Sequence, residues 1–298
     1  MTVVGYLWYN TPMATMKEFR DERIKKLEKL RSLGYDPYPA RANRTRNTHD
    51  ITTRFDELEG STETVFGRIK SIRKFGKIAF IVIRDFTGTL QLFLQAQDLR
   101  ESNPQEGLVG IGDIGLLDTG DFVEATGTVL RTKTGEISLV LSELRLITKS
   151  LRPMPLDHES FTDKEERLRR RYIDMNVNID VRDRFVRRSK FWQSTRDFLN
   201  ENGFIEVSNN VLEATAGGAD ATPFVTHMDA LDQDFFLRIS HELPLKRLLV
   251  AGFEKVFEIG PRFRNEYYSD EHLPEHNAME WYWASADWEM GMEFTERM

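Results

Sequence analysis

The chain has 298 residues, no cysteine, 40% hydrophobic and 11% aromatic residues, and a formal net charge of −7. That length suits about two domains with sizeable cores, and the lack of cysteine excludes disulfides and thiolate metal sites and points to a reducing cytoplasm. No run of about 18 apolar residues exists, so no membrane span is expected. Charge is unevenly spread: residues 16–55 hold 11 Lys/Arg against 6 Asp/Glu, residues 163–198 hold 11 against 7, and residues 199–298 hold 7 against 19. A basic front and an acidic back suit a polyanion at one end and a small cation at the other, and suit plain solvated surfaces about equally well.

Residues 1–15 are uncharged and without a basic leader, and read as an upstream extension with Met13 or Met16 as the functional start. Residues 16–60 read as a helix and its connector. The spacing predicts an amphipathic helix from Met16 to Leu33, with Met16, Phe19, Ile24, Leu27, Leu30 and Leu33 on one stripe and Arg20, Arg23, Lys26 and Arg31 opposite. Gly34 stops it, and Pro37 and Pro39 prevent continuation.

Residues 61–150 read as all-β. Strands are predicted at Thr64–Ile72, Lys77–Arg84, Thr89–Leu94, Phe122–Arg131 and Ile137–Ile147, with an insertion near Leu99–Leu117. Five strands with an insertion after the third is the inventory of an OB-fold barrel, a fold that takes single-stranded nucleic acid on an aromatic and polar face. Phe80 and Gln91 are the candidate base contacts, with Glu136 at the tip of the last hairpin; a strand Phe is more often core than platform.

Residues 151–180 read as a linker, with Pro153 and Pro155 followed by the charged run Arg169-Arg170-Arg171-Tyr172. A helix is predicted from about Val181 to Asn202, with Phe185, Ser189, Trp192, Thr195, Arg196 and Leu199 on its repeat. Gly203 caps it and a strand begins at Phe204. Gly217-Gly218 lets backbone approach a ligand closely. Glu242 opens a helix-like segment, where a Glu is ordinarily a dipole partner. A strand-like run, Lys255 to Phe263, then delivers Arg264 and Glu266 two residues apart and so to one face. After a polar loop the chain returns with Glu280 and Tyr282, again two apart.

The stretch 253–284 resembles motif 2 of the class II aminoacyl-tRNA synthetases. Asn202-Gly203-Phe204-Ile205-Glu206-Val207 resembles their motif 1, with Asn210 where a Pro is usual. Gly217-Gly218-Ala219 before Pro223-Phe224, and Arg238-Ile239-Ser240-His241-Glu242-Leu243, resemble the lysyl subgroup, with Thr222 in place of an Arg and His241 in place of a Pro. Arg31 to Pro39, Gly67-Arg68-Ile69 and Arg170 to Asp174 resemble that subgroup as well, so the likeness covers residues 16–298.

The resemblance implies an α+β chain: an N-terminal five-stranded OB-fold β-barrel, then an antiparallel-sheet catalytic core over residues 181–298. That core is incomplete, because the family's third motif lies downstream of Met298. Implied with it are ATP-dependent formation of lysyl-adenylate and transfer to tRNA(Lys). Arg264 would be the catalytic cation, Arg264, Glu266, His272 and His276 the ATP contacts, and Gly218, Glu242, Arg264, Glu280 and Tyr282 the L-lysine site. Phe80, Gln91 and Glu136 would read the anticodon. Mg2+ would accompany ATP on ligands beyond this chain, with no metal ligand expected within it, and motif 1 would make a homodimer. The competing readings are a non-catalytic fragment that binds RNA through its OB-fold, and an aspartyl- or asparaginyl-type enzyme, which Glu280 and Tyr282 disfavour.

Overall fold

The computed structural model describes residues 16–298 apart from 156–160, 268 and 270. The expected extension over residues 1–15 therefore lies outside the described residues. The chain divides into two compact units, one ending at Asn178 and one beginning at Ile179.

The first unit opens with α1 (Met16–Ser32), α2 (Thr48–Thr53) and α3 (Phe55–Leu58), and continues with β1 (Thr62–Phe75), β2 (Ile78–Arg84), β3 (Thr89–Gln95), β4 (Phe122–Arg131) and β5 (Ile137–Thr148). The five strands close a barrel in the order β1-β2-β3-β5-β4, with β4 returning to β1 and only the β3–β5 pairing parallel. This is the expected OB-fold barrel. It forms because apolar and polar residues alternate along each strand, so that Ala79, Ile81 and Ile83 of β2 and Leu90, Leu92 and Leu94 of β3 fill the lumen. The 99–117 insertion holds one 3-10 turn, Asp113–Leu116, whose Ile114 joins the core. The unit ends with α4 (Lys164–Arg169) and α5 (Arg171–Val177).

The expected faces of α1 need correction. Its buried stripe is Arg23, Leu27 and Leu30, while Met16 and Phe19 are exposed. Arg23 donates to the carbonyls of Thr119 (2.9 Å) and Ser150 (3.2 Å), and Lys26 pairs with Asp118 at 2.6 Å. Cations satisfied by carbonyls and carboxylates are tolerated in packed surroundings where lone ones are not, so Arg23 and Lys26, expected opposite the apolar stripe, are the helix's anchors.

The second unit begins with α6 (Ile179–Glu201), which Gly203 terminates at φ +81°. The strand foreseen from Phe204 is only β6 (Ile205–Glu206), lying parallel to the first strand of a long hairpin. A small sheet in the order β7-β9-β8 follows, from β7 (Leu212–Glu213), β8 (Val225–Met228) and β9 (Gln233–Leu237). Then come α7 (Glu242–Val250), the hairpin strands β10 (Lys255–Phe263) and β11 (Glu275–Trp283), and α8 (Trp288–Arg297).

The hairpin has two chemically opposite faces. Phe257, Ile259, Met279, Trp281 and Trp283 pack with Leu199, Phe204 and Phe294 into one core. Phe294 of α8 lies 5.1 Å from both Phe204 and Trp281, ring centroid to ring centroid. The alternate residues, Glu258, Gly260, Arg262, Ala278, Glu280 and Tyr282, form the other face, with Glu258 opposite Glu280 and Arg262 opposite His276.

Candidate active site and nucleic-acid face

β10 stops at Phe263, so Arg264 and Glu266 follow the strand rather than ride on it. The expectation that a strand carries them to one face is thus corrected, yet the turn still brings them together. Arg264, Glu266, His272 and His276 line one pocket of about 280 Å3 with Tyr267, Glu271 and Leu273. The Arg264 backbone N–H is held by Pro274 O at 2.9 Å, and its buried Nε finds no acceptor among the described residues. Glu266 accepts the Thr222 N–H at 3.1 Å, and the Thr222 carbonyl accepts the Asn265 N–H at 2.8 Å. The position where an Arg is usual thus contributes through its backbone.

His276 accepts the Arg262 Nε–H at Nε2, 2.8 Å away, and its Nδ1 lies 3.3 Å from Leu273 O. Burial, then the charges of Arg262 and Arg264, hold its imidazole below the ordinary value. It therefore sits neutral beside two guanidinium groups.

The second constellation adjoins on the polar face of the hairpin. Glu280 Oε1 accepts the Ser240 hydroxyl and the His241 N–H, each at 3.2 Å, and lies 3.6 Å from Arg262 Nη1. Burial pulls the Glu280 carboxyl upward, but His241 and Ser240 outweigh it and leave the group below its usual range. Glu242 opens α7, its N–H held by Ser240 Oγ at 3.0 Å and its carboxylate 2.5 Å from Lys246 Nζ. Burial, then the charges of Glu242 and Glu280, raises the Tyr282 phenol far above its ordinary value.

Gly218 has φ +85°, and a Cβ there would stand 2.7 Å from Glu242 Cβ and 3.0 Å from Ser240 Oγ. Only glycine lets this loop close onto the carboxylates. Gly218, Glu242, Glu280 and Tyr282 therefore form one anionic cluster, with Arg262 between it and the Arg264 pocket.

Three contributors escaped sequence reading: Ser240, Arg262 and Arg238. Arg262 shares the alternation of Arg264 and could have been found from it. Arg238 could not, because its partners Glu258 and Pro261 lie twenty or more residues on.

On the barrel, Phe80 faces outward and stacks on Phe93, centroids 4.8 Å apart and planes 9° from parallel. The pair lines a groove of about 790 Å3 with Leu130, Arg131 and Lys133. Gln91 and Glu136 line a neighbouring depression of about 240 Å3, with Arg131 bordering both. Gln91 Nε2 donates to Ser138 Oγ at 2.9 Å. Stacked aromatics flanked by hydrogen-bonding side chains and cations form a surface that takes unpaired bases.

Among the described residues no group of three or more His, Asp or Glu side chains could hold a metal ion, and no helix is long and apolar enough to cross a membrane.

A family profile described as "tRNA synthetases class II (D, K and N)" matches residues 163–298, and one described as "OB-fold nucleic acid binding domain" matches residues 63–147. The chain is 44% identical over 282 residues to a protein named lysine--tRNA ligase from Clostridium botulinum (strain Langeland), covering 94% of this chain and 55% of the relative. It is 44% identical over 278 residues to the protein of that name from Clostridium novyi, covering 93% and 53%. Against that from Carboxydothermus hydrogenoformans it is 41% identical over 283 residues, covering 95% and 57%. The chain spans about half the length of the curated relatives it matches.

Proposed function

We propose that the chain, which matches the class II tRNA synthetase (D, K and N) profile over residues 163–298 and an OB-fold profile over residues 63–147, carries the anticodon-reading domain and part of the amino-acid-activating site of a lysine--tRNA ligase. The observation that carries this reading is the anionic cluster of Glu242, Glu280 and Tyr282 beside a pocket bearing Arg264. A cluster of carboxylates and a phenol selects a substrate with two ammonium groups. Glu242 receives the α-ammonium, and Glu280 with Tyr282 receives the side-chain ammonium. An aspartate or asparagine side chain would gain nothing from Glu280.

In the first step the lysine carboxylate attacks the α-phosphorus of ATP, forming the mixed anhydride and releasing pyrophosphate; a tRNA hydroxyl then takes the lysyl group. Little proton transfer is needed, so positioning and charge neutralisation dominate. Arg264 faces the α-phosphate, Glu266 and His276 border the adenine, and His272 meets the triphosphate. The unsatisfied Arg264 Nε supports an anion there. Mg2+ would accompany ATP and help neutralise its phosphates. On the barrel, Phe80 stacks an anticodon base while Gln91 and Glu136 read base edges. A homodimer through the segment around Asn202–Val207 belongs to the same reading, as does a cytoplasmic location.

ATP–pyrophosphate exchange driven by lysine and not by aspartate or asparagine tests it. Exchange with aspartate instead overturns the lysine assignment. Because the relatives are nearly twice as long, a second reading stands beside it, a chain that only holds RNA through its complete barrel. Retention of tRNA without exchange would favour that reading.

A further inference from the structure

Arg262 touches both halves of the site, and the reading above gives it no ligand. Its Nε–H donates to His276 Nε2 at 2.8 Å, while its Nη1 lies 3.6 Å from Glu280 Oε1. The hairpin register sets this up, because Arg262 stands opposite His276 and Glu280 lies farther along the same face. A guanidinium is rigid and planar, so a partner at each end fixes its orientation.

That orientation decides what His276 can offer. Arg262 can only donate, so His276 Nε2 must present its lone pair. In the neutral ring the proton then lies on Nδ1, which faces Leu273 O at 3.3 Å. Burial and the charges of Arg262 and Arg264 favour that neutral form. Both ring nitrogens are thus taken, and what remains for the pocket that His276 lines is the flat face of the ring.

On the reading that places adenine beside His276, we infer that Arg262 is a positioning residue for the nucleotide base: it fixes the tautomer and plane of the His276 ring, so that the ring serves as a stacking plate. Without the Arg262 donor, Nε2 is left unpaired and the ring turns toward water to satisfy it. A ring so released must be ordered again each time a base binds, and affinity falls by that cost. Glu280 does not depend on Arg262 in the same way, because the Ser240 hydroxyl and the His241 N–H also hold it.

The test is adenosine binding to the whole chain, followed by NMR titration. Adenosine carries the base without phosphates, so loss of a positive charge does not by itself weaken it. Arg262→Met removes the donor and keeps the length of the side chain, and the dissociation constant for adenosine is expected to rise about three- to tenfold. Adding His276→Phe should restore the affinity, since a phenyl ring has no nitrogen to satisfy and packs on the introduced methionine. A merely structural role for Arg262 would not be rescued by changing its partner. L-lysine binding, measured on the same samples, should not weaken. If Arg262→Met does not fold, Arg262→Leu provides the same comparison. Unchanged adenosine affinity in the single variant, or no recovery in the double variant, overturns the role of Arg262 and leaves the adenine reading intact. Loss of lysine together with adenosine in a folded variant overturns it too, because Arg262 would then support the whole site. Absence of adenosine binding by the wild type overturns both the inference and the adenine reading.

Discussion

Arg238 reaches across Gly260 to place Nη1 2.5 Å from Glu258 Oε1, with both side chains shut away from solvent. Its Nε also donates to Pro261 O at 2.8 Å, and Asn209 Nδ2 donates to Glu258 Oε2 at 2.7 Å. Removing one partner strands the other charge in a poorly solvated place. Arg238→Met and Glu258→Gln are therefore each expected to destabilise the second unit by about 3–5 kcal/mol in urea unfolding. The double variant Arg238→Met/Glu258→Gln should lose less than the two singles together. Strict additivity would refute the coupling.

Arg264→Ala is expected to lower lysine-driven ATP–pyrophosphate exchange by about 10²–10³-fold, the size of losing one preorganised donor to developing charge. The comparison should be made in the full-length enzyme, with lysine binding as a control for folding. Near-normal exchange would rule out the phosphate role.

Glu280→Gln keeps the shape and hydrogen-bonding capacity of the side chain but removes its charge. The KM for lysine should rise about 10- to 100-fold, the value of roughly 1.5–3 kcal/mol for a charge-assisted hydrogen bond. The KM for ATP should change far less. Equal increases in both would mean a general collapse of the pocket.

Phe80→Ala removes the upper ring of the Phe80–Phe93 stack. Single-stranded anticodon RNA should bind more weakly by about 1–3 kcal/mol, with barrel stability little changed, because Phe80 lies outside the lumen. Filter binding and thermal unfolding measured side by side separate the two effects. Intact RNA affinity would place the RNA elsewhere.

Asp85 is expected to contribute to an acid transition of the barrel. It accepts hydrogen bonds from Thr48 N (2.8 Å), Thr48 Oγ1 (2.7 Å) and Thr87 N (2.7 Å), tying α2 to the β2–β3 turn. Burial pulls its carboxyl upward, but these bonds outweigh it and hold the group below the ordinary 3.8. A lowered value in the folded state means the stabilisation is complete above 3.8 and is lost as pH falls below it. Asp85→Asn should cost about 1–3 kcal/mol at neutral pH and flatten the acid limb of stability against pH. An unaltered acid limb would show that another carboxylate controls it.

The barrel was legible because period-two alternation and Gly-bearing turns are local signals: the strands foreseen at Lys77–Arg84 and Thr89–Leu94 end within a residue of those observed. The hairpin was legible from its strand-like run and the paired spacing of Glu280 and Tyr282, while His276 came only from the resemblance to motif 2. What stayed hidden depends on distant partners. Arg23 reads as surface until Thr119 and Ser150 arrive about 96 and 127 residues later. His241 and Ser240 acquire meaning only from Glu280, about 40 residues downstream. The helix α8 carries a local signal too: Asp287 caps it through Met290 N, and Met290 and Phe294 stand four apart.

Polar face and aromatic core alternate residue by residue along Glu275–Trp283. Deleting or inserting a single residue there would reverse every side chain beyond it, turning tryptophans onto the polar face and Glu280 into the core. The segment can therefore diversify by substitution but not by change of length. Its side chains can change one at a time while its reading frame along the strand stays fixed.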